Sequence, residues 1–235
     1  MSRLKDSIRI LRHLSLQRVW NVFLLRLSFY LTRMTKKSFH FGLPASMSIE
    51  PTTACNLGCP ECPSGLKQFT RPTGKLDLDL HKTLLSQIKS TVFYINYYFQ
   101  GEPFLHPRFL ELIKDAKREN IYTATSTNGH FIDFKKAKEI VASGLDRLII
   151  SVDGLTQETY EQYRINGSLE KVLESSLAVP QSDQNHILEP YQKNLYLFRL
   201  HNPFVQRRLS QNFVYPKSSF LDKSNLHLTL YFLIF

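Results

Sequence analysis

An α/β fold built on a parallel sheet is what this sequence predicts, and three observations carry that reading. Between residues 47 and 163, short β-branched and aromatic runs alternate with amphipathic helical stretches. Turn-forming groups close successive runs: Gln100-Gly101-Glu102-Pro103, Asn128-Gly129 and Asp153-Gly154. Polar residues with chemical potential gather where those runs end. Regular strand–helix alternation implies right-handed crossovers, a parallel sheet, and function at the carboxyl ends of the strands.

In chain order, Leu16, Val19, Trp20, Phe23, Leu24, Leu27, Tyr30 and Leu31 recur at three- and four-residue steps within residues 14–32, with Arg18, Arg26 and Arg33 between them. This predicts a basic amphipathic helix. Arg26 interrupts its most apolar part and the unbroken apolar run is short, so it is not a membrane span. No small-residue cleavage site follows, which argues against a signal peptide. The preferred expectation is a helix packed by its apolar stripe against the domain, with its arginines in water. Reversible contact with a membrane surface is the less favoured alternative.

After Gly42-Leu43-Pro44 the pattern changes. Residues 47–50 read as a strand running into a cysteine loop, and 63–76 are turn-rich. Residues 78–88 read as a helix opened by Asp77 or Asp79, because a carboxylate satisfies the free N–H groups of a first turn. A strand over 92–99 and a helix over 107–119 follow. A third strand spans 121–126, and a helix over 133–143 has Gly144 as its stop. Residues 148–152 make the fourth strand, and a further helix begins at 157–163. The cysteines, Glu102, Asn128, Ser151 and Asp153 all fall at or just past strand ends, so four polar sites converge on one rim.

The 235 residues suffice for one large or two small domains, and 43% apolar content is enough for a packed core. The net charge of +10 is unevenly spread. Residues 1–46 hold nine Lys/Arg against one acid, residues 47–175 hold 15 against 16, and residues 176–235 hold six against three. The basic character therefore belongs to the two ends. The N-terminal charge permits phosphate contact, yet Trp20 and Phe23 fall on the apolar stripe, which favours packing; no nucleic-acid partner is expected.

All three cysteines lie within residues 55–62, as Cys55-x3-Cys59-x2-Cys62. Three thiols so close cannot all pair as disulfides, and their spacing lets them serve as thiolate ligands. Three protein ligands leave a tetrahedral zinc, or one corner of a four-iron cluster, with an open position, which is where metal chemistry occurs. From the triad alone, zinc and iron–sulfur are comparable. The absence of disulfide-type cysteine usage points to a reducing cytoplasm.

In this setting the chain resembles the radical S-adenosylmethionine (SAM) superfamily, in the branch that usually carries a C-terminal SPASM or related cluster domain. The resemblance spans roughly residues 47–175. It rests on the triad after the first strand, Gly-Glu-Pro after the second, Thr-Asn-Gly after the third and Ser-Val-Asp-Gly after the fourth, in that order. It implies a partial (β/α) TIM-like barrel in which Cys55, Cys59 and Cys62 bind three irons of a [4Fe-4S] cluster and SAM chelates the fourth. Reductive cleavage of SAM then gives a 5′-deoxyadenosyl radical that abstracts hydrogen from a substrate, in this branch often a peptide, with a flavodoxin or ferredoxin as electron donor. By the same resemblance, Gly101 and Glu102 hold the SAM amino group, Ser151 contacts its ribose or carboxylate, and Arg164, on the following helix, takes the carboxylate. Asp153 reads first as a turn former with Gly154, and Asn128 as a turn residue that also lines the site. Three departures are Gln100 in place of the motif's first glycine, Glu61 where an aromatic residue is usual, and, the largest, no pattern after about residue 175 for the fifth and sixth strand–helix units that complete the family's SAM pocket.

Residues 176–235 contain neither glycine nor cysteine and fit no regular strand–helix pattern, since turns and helix stops draw on glycine. The expectation is three segments: a basic helical segment over 1–46, a partial radical SAM core over 47–175, and an atypical tail over 176–235 that reads as truncated or frame-shifted sequence. A cluster- or zinc-binding module without SAM turnover is the alternative function.

Overall fold

The strands line up in sequence order, every neighbouring pair parallel: β1 (Ser46–Ser48), β2 (Tyr94–Asn96), β3 (Tyr122–Thr127), β4 (Arg147–Ile150) and a two-residue β5 (Tyr196–Leu197). Met47 stands opposite Ile95, Ile95 opposite Thr123, and Ser126 opposite Ile149. The computed structural model describes residues 2–181 and Tyr196–Leu197, within a unit spanning Met1–Leu200; a second unit, His201–Phe235, lies outside the described residues. The expected alternation is present, and with it the partial parallel α/β sheet.

Helices α1 (Ser2–Arg12), α2 (Leu16–Thr35), α3 (Leu78–Ile88), α4 (Phe109–Arg118), α5 (Phe134–Ser143), α6 (Gln157–Glu161) and α7 (Leu169–Gln181) complete the order. Helices α3 and α5 begin with aspartate caps, the first of them expected from the sequence. The Asp77 carboxylate accepts from the N–H groups of Asp79 and Leu80, at 2.9 and 3.0 Å, and Asp133 accepts from Lys136 N–H at 2.6 Å. Gly144 ends α5 at φ +78°, the left-handed conformation that glycine adopts without a Cβ penalty. Between sheet and helices lies a core that includes Val92, Ile95, Phe109, Leu112, Ile113, Ile140, Leu148 and Ile150, each at most 2% exposed. Burying a side chain of this size contributes about 1.5–3 kcal/mol, so this layer sets the strand positions.

The N-terminal segment departs from expectation in two ways. Helix α1 precedes the one that the periodicity indicated. The second departure is a reversal of faces in α2. Arg18 is 3% exposed, while Trp20 is 61% and Leu16 90% exposed. The guanidinium of Arg18 donates to the carbonyls of Lys89, His13, Asn120 and Glu119 at 2.6–3.1 Å. Lys89, Glu119 and Asn120 sit in the turns leading into β2 and β3. A fork of five donors reaches several backbone carbonyls at once, which outweighs the hydropathy preference that would put the arginine in water. Arg26 and Arg33 are exposed, as expected.

More bonds fix this end of the sheet. Tyr122 O–H donates to Asp6 at 2.6 Å, and Asp146, just before β4, accepts from Lys117 Nζ, Thr123 N–H and Thr123 O–H. At the other end of the chain, α7 continues past residue 175 to Gln181 with Val179 buried. Residues 182–195 and 198–235, which hold most of the expected atypical tail, lie outside the described residues.

Candidate functional site

The cysteine loop leaves β1 and is tied to the ends of three further segments. Glu102 N–H, just past β2, donates to Ala54 O at 2.7 Å. Asn128, just past β3, donates through Nδ2 to Asn56 Oδ1 at 2.7 Å. Gly58 N–H donates to Ile165 O, beyond β4, at 3.0 Å. Inside the loop, Cys62 N–H bonds Cys59 O and Leu66 N–H bonds Cys62 O. The rim that strand–helix alternation indicated is therefore one connected structure.

Cys55, Cys59 and Cys62 line one cavity of about 160 Å³ with Gly101, Glu102, Ser151 and Arg164, so all seven residues that the resemblance assigns to cluster or SAM meet there, with Asn128 beside them. Cys59 is buried; Cys55 and Cys62 are half-buried, and none is in a disulfide. Burial pushes the Cys55 and Cys59 thiols up; the Leu57 N–H works against that rise at Cys55, and the Arg164 guanidinium, with Nη1 3.8 Å from Cys59 Sγ, works against it at Cys59. Among the described residues, no three His, Cys, Asp or Glu side chains are gathered closely enough to hold a single metal ion. A cluster takes one thiolate per iron, so its cysteines need a shared cavity rather than a common point. The donor set of three soft thiols with no further ligand suits such a cluster.

Gly101 permits the close approach of β2 to the loop. Its φ is +77°, and a Cβ there would stand 2.2 Å from Thr52 O. Next to it, Glu102 is 2% exposed and organises the rim. Its Oε1 accepts from Thr127 O–H at 2.7 Å and Phe104 N–H at 3.2 Å, and its Oε2 accepts from Asn128 N–H at 2.8 Å. Burial raises its pKa, and these bonds only partly offset that. A carboxylate has about four lone-pair sites, and donors among the described residues take three of them, two on Oε1 and one on Oε2.

Ser151 Oγ lies 3.3 Å from Ser126 Oγ, both on the cavity wall. Arg164 follows α6 rather than lying on it, in the turn after Tyr163. Its Nε donates to Asp153 Oδ2, so the aspartate at the Asp153-Gly154 turn also aims the guanidinium.

Several contributors escaped the sequence reading. Ser64 O–H donates to Gln100 Oε1 at 2.9 Å and accepts from Gly101 N–H at 2.9 Å, while Cys62 S–H points to the same Gln100 oxygen at 3.6 Å. Gln100, read as a departure from a glycine motif, thus joins the third cysteine to the end of β2. The Asn56–Asn128 bond and Tyr163 on the cavity wall were likewise missed. None of these carries a local motif, because the partners lie 36 to 72 positions apart.

The family model described as the radical SAM superfamily matches residues 49–183. The chain belongs to the radical SAM superfamily. Among curated radical SAM relatives, it is 28% identical over 131 residues to the AdoMet-dependent heme synthase of Methanosarcina barkeri, covering 55% of this chain and 37% of that protein. It is 31% identical over 124 residues to the PqqA peptide cyclase of Gluconobacter oxydans, covering 53% of this chain and 34% of that protein. The chain thus spans about a third of the length of these radical SAM relatives. Streptococcus suis SuiB bound to the precursor peptide SuiA shares the fold, with a TM-score of 0.53 at 15% identity over 67% of this chain and 34% of that one. Among the described residues, no helix is long and apolar enough to cross a membrane.

Proposed function

We propose that this chain binds a [4Fe-4S] cluster through Cys55, Cys59 and Cys62, binds SAM beside it, and uses the pair to abstract a hydrogen atom from a peptide. The observation that carries this reading is the meeting of three thiols with Glu102, Ser151 and Arg164, from successive strand ends, on one cavity in a radical SAM chain. When bound, cluster and cofactor supply one-electron cleavage of the sulfonium C–S bond, which yields a 5′-deoxyadenosyl radical. The one-electron donor is a flavodoxin or ferredoxin.

The protein's own part is positioning. Glu102 would hold the SAM ammonium, and the added cation would draw its carboxyl back toward the ionised form. Ser151 offers its hydroxyl to the ribose or carboxylate. Arg164, aimed by Asp153, turns its remaining N–H groups to the cavity and the carboxylate there. Leu57, 4% exposed, and Tyr98 add apolar surface to the same wall. Support for a peptide substrate comes from the PqqA peptide cyclase relative.

The test is anaerobic reconstitution with iron and sulfide, then addition of SAM and a chemical reductant. Visible thiolate-to-iron absorption and 5′-deoxyadenosine are expected. Colourless protein retaining one zinc per chain would falsify the reading. Colour without 5′-deoxyadenosine would instead select cluster binding without SAM turnover.

A further inference from the structure

Helix α2 turns its apolar side outward. Leu16, Trp20, Phe23, Tyr30 and Met34 are 90, 61, 50, 56 and 79% exposed and follow one another at helical spacing. Val19, 49% exposed, belongs to the same stripe. Trp20 and Phe23 stack at 5.2 Å between ring centroids, which makes a flat aromatic platform. The opposite face is polar and buried: Arg18 holds the turns before β2 and β3, Asn21 bonds both backbone groups of Leu43, and Ser28 accepts from Phe41 N–H. Packing on the domain has therefore used the polar face and left the apolar one outside.

Charge identifies the occupant. Arg26 and Arg33 are exposed, one helical side away from the stripe, and Lys36 and Lys37 follow the helix end. Asp6 is the sole acid among residues 1–49, and it is buried against Tyr122 and Arg147. Every exposed charged side chain on this segment is therefore basic. A second copy would set like charges together. An apolar stripe with Trp and Tyr, flanked by Arg and Lys and free of acids, suits the boundary between lipid headgroups and acyl chains of an anionic bilayer.

We propose that α2 docks the protein on an anionic lipid surface, lying in the interface with Leu16, Trp20, Phe23, Tyr30 and Met34 inserted. Arg18 fastens α2 at the strand-entry end of the sheet and the cysteines lie at the opposite end, so the docked protein keeps its cavity away from the lipid.

The test uses the full chain, metal-free, with vesicles of phosphatidylglycerol and phosphatidylcholine, and with phosphatidylcholine alone. Trp20 is the chain's single tryptophan, so its emission reports insertion directly. Expected are co-sedimentation with the anionic vesicles, a blue shift of Trp20 emission, and weaker binding at high salt. The exposed-site variant Trp20→Phe/Phe23→Ser, followed by sedimentation, should bind at least tenfold less, and Arg26→Glu/Arg33→Glu should lose the preference for anionic lipid. Unchanged melting temperatures confirm that both variants are folded. Absence of vesicle binding, equal binding to neutral vesicles, equal binding by the Trp20/Phe23 variant, or a stripe consumed in self-association seen by ultracentrifugation each overturns the proposal.

Discussion

Two carboxyl groups, one at each end of the sheet, are buried in contrasting company. Glu102, at the cysteine end, accepts from neutral donors among the described residues, Thr127 O–H and the N–H groups of Phe104 and Asn128, and feels the Arg164 charge only as a minor influence. Asp146, at the opposite end, is gripped through both oxygens by Lys117 Nζ at 2.8 Å, with His13 Nε2 at 3.8 Å and Thr123 N–H at 2.8 Å. Burial, the largest influence on each, pushes both carboxyls up. At Asp146 the His13, Lys117 and Thr123 interactions together prevail and hold the pKa below the usual aspartate range. At Glu102 burial prevails and the pKa is raised. The strand-entry end grips its carboxylate with a cation and acts as a clamp, whereas the cysteine end surrounds Glu102 with neutral donors and pairs Arg164 with Asp153 on the cavity wall, the two groups that the proposed function assigns to SAM.

The largest expected effect breaks the functional end alone. Cys59→Ala should eliminate iron and sulfide incorporation, measured by metal analysis after reconstitution, because two thiolates cannot replace three. The structural end breaks next. Arg18→Ala leaves the carbonyls of Lys89, Glu119, Asn120 and His13 without its donors and should cost about 3 kcal/mol in denaturant unfolding, with the cysteine cavity intact in the folded fraction.

The pH dependence of metal-free protein sharpens the contrast. A carboxyl with a lowered folded pKa stabilises above its unfolded value, about 3.9, and that stability is lost as pH falls through the folded pKa. Asp146→Asn should thus be less stable than wild type at pH 7, with the deficit closing in acid. A raised folded pKa has the opposite sign: stability falls as pH climbs from the ordinary glutamate value, about 4.3, through the folded one. Glu102→Gln should therefore gain on wild type over that climb. Urea midpoints against pH check both slopes. The smallest effect is Gly144→Ala, about 1 kcal/mol, from a side chain forced to φ +78°; its new methyl would also stand 3.4 Å from Cγ of Lys117, the residue that grips Asp146.

Strand–helix order was legible because its signals are local. Asp77, Asp133 and Gly144 mark helix ends whatever surrounds them. The cysteines were legible for the same reason, since their spacing is short. The buried face of α2 was not: hydropathy sends Arg18 to water, and only the folded chain brings three carbonyls from beyond residue 88 to its guanidinium. Gln100 looked like an impaired glycine because its partner Ser64 lies 36 residues away. Asp153 showed its turn but not its pairing with Arg164, which depends on how the chain returns after α6.

The three tethers of the cysteine loop also govern the fate of the protein in air. The loop's position is set by Glu102 on Ala54, Asn128 on Asn56 and Ile165 on Gly58, bonds that involve no metal. If the proposed cluster is held there, a chain that had lost its iron to oxidation would, once its thiols were reduced again, still present them beside the same strand ends. Repair of such a chain would then require delivery of iron and sulfide, not a new round of folding.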